Sequence, residues 1–312
     1  MTRAVVFGYH DVGVRCLRTL IAAGIEVPLV LTHEDDPAET IWFDSVARTA
    51  AEYGIPTISP ADPNAADVVE RVAACKPDFL FSFYYRAMLK GSLLALPPRG
   101  ALNMHGSLLP KYRGRAPVNW AIVCGETETG ATLHYMLDKP DSGDIVAQQA
   151  VPILPDDTAR QVFDKVTGAA QQVLGRALPA LLAGNAPRIK QDAGASTYYG
   201  ARKPEDGTID WSRSATTIHN LVRAVAPPYP GAFTTLAGRP ARVLRTRMLD
   251  DGSPPARGPS ITVENGRLVA RCGGGGALAV LELEVDGAMV SASDFTARYG
   301  AAYGATGAAL GI

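Results

Sequence analysis

Four cysteines in 312 residues, at positions 16, 75, 124 and 272, are too few and too scattered for a disulfide framework. No Cys-x-x-Cys pair marks a zinc site, so no metal is expected. The four read as small buried side chains in a reducing compartment. No apolar run approaches the ~20 residues that cross a bilayer. The opening stretch Met1–Gly8 holds too short an apolar run for a secretion signal and meets a turn at once. The expectation is a cytoplasmic protein without membrane insertion. Charge of either sign is not in excess: 30 basic and 31 acidic residues leave a formal net charge of −1. Without a block of Lys and Arg, nucleic acid is not expected as the main partner.

What is present is an ordinary globular composition, 47% hydrophobic and 20% charged, in a chain long enough for two domains. The first two-thirds alternate short apolar runs with amphipathic segments. Strands are predicted at Ala4–Gly8, Val27–Thr32, Phe79–Phe83, Ala101–His105, Thr132–Met136 and Ile145–Val151. Helices are predicted at Asp11–Ala23, Phe43–Glu52, Asp67–Ala74 and Thr158–Leu182. Buried strands alternating with helices imply α/β architecture: a Rossmann-like, mostly parallel sheet with helices on both faces. After about residue 183 the pattern changes. Short β-like runs at Ala232–Leu236, Ala241–Leu244, Ile261–Val263, Leu268–Arg271 and Ala277–Leu283 are separated by turn residues, as in a small OB-like β-barrel. The division expected is 1–200 and 201–312, with Gly304–Ile312 a loose tail.

The turn after the first strand, Gly8-Tyr9-His10-Asp11-Val12-Gly13, resembles a dinucleotide loop but puts His10 where the middle glycine belongs. A side chain there obstructs close approach of a pyrophosphate, so a nicotinamide enzyme is not favoured. A helix N-terminus still attracts anions, and a phosphate of another ligand fits the loop as well as a purely structural turn does.

The most informative segment runs from Leu102 to Pro117. Asn103 and His105 lie two apart on a predicted strand, so they face the same way at its carboxyl end, where open α/β sheets bind ligands. A loop bearing Lys111, Arg113 and Arg115 follows. An amide beside an imidazole suits acyl transfer to an amine: the amide donates to the oxyanion, and the imidazole protonates the leaving nitrogen. An acid would orient and charge that imidazole. The turn-rich loop after Met136 supplies Asp138, Asp141 and Asp144, and spacing does not choose among them. Taken singly, the histidine, the acidic loop and the basic loop are each ordinary structural features. Their combination points to chemistry.

The run Asn103-x-His105-x-Ser107-Leu108-Leu109-Pro110, with Arg113-Gly114, Ala116-Pro117 and Asp141-Ser142-Gly143-Asp144-Ile145, resembles the formyltetrahydrofolate-dependent formyltransferases. The resemblance implies 10-formyltetrahydrofolate as formyl donor. It assigns Asn103 to the oxyanion, His105 to proton donation and Asp141 to the acid partner. It also implies a folate pocket at Ala87, Met88 and Leu89, completed by Arg115 and by Leu137, Asp138, Lys139 and Pro140. Within the family, Val5–Asp11, Phe81–Arg86, Lys111–Pro117, Gly125–Gly130 and Val222–Ala226 are most similar to the branch acting on UDP-4-amino-4-deoxy-L-arabinose. In the lipid A modification enzyme, that branch is the N-terminal half, fused to a UDP-glucuronate decarboxylase. The match uses nearly all of residues 1–300. The expectation is therefore the formyltransferase half standing alone, with a separate decarboxylase as a candidate partner. His10, Tyr84 and Arg86 are expected near the phosphates of the UDP-amino sugar. The competing functions are a methionyl-tRNA formyltransferase, a formyltetrahydrofolate hydrolase, and a catalytically silent folate or nucleotide binder.

Overall fold

The computed structural model describes residues 1–37, 39–249, 259–299 and 308–311. The first elements are β1 (Arg3–Gly8), α1 (His10–Ala22), β2 (Glu26–Leu31), α2 (Val46–Glu52), β3 (Thr57–Ile58) and α3 (Ala66–Ala74). Next come β4 (Phe79–Phe83), α4 (Gly91–Leu94), β5 (Ala101–His105), β6 (Arg113–Gly114) and α5 (Pro117–Val123). β7 (Glu128–Tyr135), β8 (Ile145–Pro152), α6 (Ala159–Ala183) and β9 (Tyr198–Tyr199) follow. The later part holds α7 (Ala215–Val225), β10 (Ala232–Leu236), β11 (Arg239–Leu249), β12 (Ser260–Glu264) and β13 (Arg267–Arg271). It ends with β14 (Ala277–Val285), β15 (Ala288–Met289), α8 (Ala292–Tyr299) and β16 (Ala308–Gly311).

The chain packs as two compact units. One comprises Met1–Pro117, Glu128–Pro152 and Phe163–Gly200; the other comprises Val118–Thr127, Ile153–Val162 and Ala201–Ile312.

The first unit is built on a seven-stranded sheet of order β3-β2-β1-β4-β5-β7-β8. Strands β1 to β5 are parallel, and β7 and β8 add antiparallel at one edge. Every residue of β4 is buried, as an apolar strand covered on both faces must be. Side chains alternate along β1. Val5 and Phe7 pack in one cluster with Val68 and Val72 of α3 and Leu93 of α4. Helix α1 packs on β1, β2 and β4 through its apolar stripe of Val14, Leu17 and Leu20. The α/β architecture read from the sequence is the one observed. Two elements differ in their bounds: β7 begins at Glu128, four residues before the strand expected at Thr132, and α2 starts at Val46, because the Ser45 hydroxyl caps it by accepting from the Arg48 amide. Phe43 and Asp44, expected inside that helix, lie before it.

The second unit is an antiparallel barrel of order β11-β10-β16-β12-β13-β14, closed by a β14–β11 pairing, with β15 added to β14. Trp211, Val243, Ile261, Leu278 and Leu283 fill its core together with Ile218 and Val222 of α7. Helix α7 is not among the elements expected from the sequence. Its signal is Ser214 accepting from the Thr217 amide at the head of an apolar stripe. On the barrel surface Arg239, Arg242 and Arg245 of β11 pair with Asp286, Glu284 and Glu282. Of the expected loose tail, residues 304–307 and 312 lie outside the described residues, whereas β16 pairs with β10 and β12.

Candidate active site

The site lies in the first unit, at the carboxyl end of the parallel strands. β5 pairs with β4 on one side and with β7 on the other, setting Asn103 opposite Ser82 and His134, and His105 opposite Thr132. The loop after β7 then turns back. At Asp141 the backbone takes φ +52, a left-handed conformation that aims the carboxylate inward.

The three sequence-predicted residues meet there. His105 is 6% exposed. Its Nδ1 lies 3.6 Å from Asp141 Oδ1, and its Nε2 lies 2.8 Å from the Tyr112 carbonyl. Both ring nitrogens therefore face oxygen acceptors. Asn103 Nδ2 donates to Asp141 Oδ1 at 3.4 Å and lies 3.2 Å from His134 Nε2. Asp141 Oδ2 accepts from the Gly114 amide at 2.8 Å. Of the three candidate acids in this loop, Asp138 is exposed, and Asp144 supplies its backbone carbonyl to the Tyr135 amide.

A fourth group, His134, escaped the sequence reading. It is 1% exposed; its Nδ1 lies 2.8 Å from the Tyr135 carbonyl, and its Nε2 lies 3.6 Å from Asp141 Oδ1. Burial by itself pushes the Asp141 carboxyl up. The charge of His105, the hydrogen bond and charge of His134 and the Gly114 amide outweigh it, and hold the carboxyl well below the usual carboxylate range. Asp141 is thus an anion at neutral pH, shared by two imidazoles, an amide side chain and a backbone amide.

The residues expected at the folate pocket lie on three segments of the chain: 87–89, 137–140 and Arg115. Ala87, Leu89 and Met136 belong to one apolar cluster. A Cβ placed on Gly91 would touch Asp138 Oδ1. Leu89 itself is buried core, which leaves its backbone for a ligand. Met88 and Leu137 are large apolar side chains 47% and 55% exposed. Lys139 is exposed and Pro140 partly buried. Arg115 is exposed, with its amide tied to the Tyr199 carbonyl.

The residues expected at the sugar phosphates sit at the ends of β1 and β4, and each is already engaged. His10 is buried, stacked on Phe43 at 3.8 Å and flanked by Trp42 and Phe163. The first turn of α1 carries an acid, Asp11, which accepts from the Asp44 amide. Tyr84 is partly buried, and a Cβ on Gly106 would run into its hydroxyl. Arg86 forms a bidentate pair with Glu39 at 2.8 Å and lies over the Tyr9 ring. Among the described residues no group of three or more His, Cys, Asp or Glu is arranged to hold a metal ion, and no helix is long and apolar enough to cross a membrane.

Known proteins place this geometry. The solved N-formyltransferase from Helicobacter canadensis, in complex with folinic acid and dTDP-3-aminofucose, superimposes with a TM-score of 0.71 at 19% identity. That match covers 90% of this chain and 99% of the other. HypX from Aquifex aeolicus, in complex with tetrahydrofolic acid, gives 0.64 at 16% identity, covering 95% of this chain and 47% of that one. Glycinamide ribonucleotide transformylase 1 from Symbiobacterium toebii gives 0.53 at 23% identity, over 61% and 93%. At these identities the likeness is one of fold. The sequence itself matches the formyl transferase family over residues 3–178, more than half of the chain, and the formyl transferase C-terminal domain over residues 202–300. The protein therefore belongs to the formyl transferase family and is a formyltransferase.

Proposed function

We propose that this enzyme moves the formyl group of 10-formyltetrahydrofolate to the 4-amino group of UDP-4-amino-4-deoxy-L-arabinose. The observation that carries the reading is the convergence of Asn103, His105 and Asp141 at the carboxyl edge of the sheet. Asn103 Nδ2 gives up its long 3.4 Å contact to Asp141 and donates to the formyl oxygen as it becomes an oxyanion. His105 Nδ1 stays against the Asp141 carboxylate. The acceptor amine adds to the formyl carbon, and the bond from that carbon to the folate nitrogen then breaks. The Nε2 of His105 releases the Tyr112 carbonyl and delivers a proton to the departing nitrogen, and the proton lost by the amine restores the imidazole. Burial keeps water from competing with the amine.

Folate as donor is supported by the family match and by the folates bound in the Helicobacter canadensis and Aquifex aeolicus relatives. A sugar nucleotide as acceptor is supported by the dTDP-3-aminofucose bound in the first of these, and the arabinose by the sequence resemblance of Val5–Asp11, Phe81–Arg86 and Lys111–Pro117. The barrel favours a sugar over tRNA, because Arg239, Arg242 and Arg245 are each matched by an acid and form no free basic stripe.

The test is a panel of UDP- and dTDP-linked amino sugars with 10-formyltetrahydrofolate, read by tetrahydrofolate release. The expected best acceptor is UDP-4-amino-4-deoxy-L-arabinose. Higher kcat/KM for another amino sugar refutes the acceptor, and formylation of methionyl-tRNA at comparable efficiency refutes the sugar class.

A further inference from the structure

Behind Asp141 lies a second layer of polar contacts that the proposed chemistry leaves unused. Its centre is Gln191, in the connector that follows α6. Gln191 Nε2 donates to the backbone carbonyls of Asp141 at 2.9 Å and Gly143 at 2.7 Å. Its Oε1 accepts from Arg113 Nε at 3.1 Å and Nη2 at 2.7 Å. Arg113 is 7% exposed, so a cation sits buried behind the site with a neutral amide as its partner. Guanidinium nitrogens only donate, so Arg113 fixes which end of the Gln191 amide is oxygen and points its N–H groups at the loop.

The loop needs such a hold. A left-handed backbone at a non-glycine residue persists only where its surroundings enforce it, and Asp141 is in that conformation. The same connector also fixes the other side of the site. Thr197 Oγ1 accepts from the Tyr112 amide at 2.8 Å, and the Thr197 carbonyl accepts from the Arg113 amide at 3.0 Å. The Tyr112 carbonyl is the His105 partner, and the Gly114 amide is the Asp141 partner. One strip of chain thus holds both oxygens between which the imidazole sits.

We infer that Gln191, braced by Arg113, is a positioning residue that sets the Asp141 carboxylate against His105, which makes the connector a working part of the site. This rests on the role proposed for Asp141. A misplacement near 1 Å costs about 10²-fold in rate. Gln191→Leu should therefore lower kcat roughly 10- to 100-fold, with KM for folate donor and amine acceptor within about two-fold. Gln191→Glu keeps an oxygen for Arg113 but loses both donors, and should lose as much turnover. In the Asp141→Asn background Gln191→Leu should change kcat by less than about two-fold, since its target is already gone. Turnover of the folded Gln191→Glu protein within two-fold of wild type overturns the inference. So do losses that multiply in the double variant. A fully active Asp141→Asn protein would sink the catalytic reading instead, and that outcome is read from the single variant alone.

Discussion

Replacing Asp141 by Asn removes one charge and leaves the shape. The Asn oxygen still accepts from the Gly114 amide that now meets Oδ2 at 2.8 Å, so the loop keeps its anchor. What disappears is the acceptor at Oδ1, and with it the Asn103 contact and the attraction between the carboxylate and a protonated His105 ring, whose Nδ1 is 3.6 Å away. At an effective dielectric of about 20, unit charges at that distance attract by about 4.6 kcal/mol. The cost of burying the carboxylate offsets a share of this; with roughly half surviving, about 2.3 kcal/mol remains. Each 1.36 kcal/mol is tenfold in rate, so the expected loss in kcat lies between about 50-fold and about 2,000-fold. The assay is formyl transfer at saturating donor and acceptor, followed by tetrahydrofolate release. Circular dichroism and a thermal melt show that the variant is folded. KM for either substrate should move by less than about three-fold, because the effect falls on the transition state. A folded Asp141→Asn protein that keeps more than a fifth of wild-type kcat refutes the electrostatic argument.

The remaining predictions concern the neighbours of that carboxylate. The folded-state pKa of Asp141 is depressed, so its contribution to stability is present at neutral pH and is lost as pH falls from the ordinary carboxylate value near 4 towards its lowered one. Wild type should therefore lose thermal stability more steeply than Asp141→Asn below about pH 5; parallel melting curves over that range contradict the assignment. His134→Phe keeps a ring in the strand but removes the Nε2 beside Asn103 and Asp141, and should lower kcat about tenfold with KM unchanged. Equal turnover would mean that His134 only fills space. Arg86→Ala should raise KM for the nucleotide acceptor about tenfold and leave that for the folate donor alone; an unchanged acceptor KM would make Arg86 a brace for Glu39 and Tyr9 and nothing more.

How much of the site could be seen in the sequence follows from which forces act locally. The strand Ala101–His105 was legible to the residue, because an apolar run with period two carries its own face assignment. Asp141 was not separable from Asp138 and Asp144 by spacing. Its inward aim comes from one left-handed dihedral, held by a glutamine 50 residues away. His134 was hidden for another reason: only the antiparallel register of β7 against β5 puts it across from Asn103. Arg113 read as one of three basic residues in a loop, and only the fold of the connector buries it. Helix α7 carries a local signal in its Ser214 cap. Short-range patterning wrote the layers of the fold, while long-range pairing wrote the polar contacts.

A single oxygen, Asp141 Oδ1, lies 3.6 Å from His105 Nδ1 and 3.6 Å from His134 Nε2. Any displacement of that atom is therefore felt by both rings at once. Double-variant cycles over His105, His134 and Asp141 should then show losses in turnover that fail to add, because one atom serves two rings.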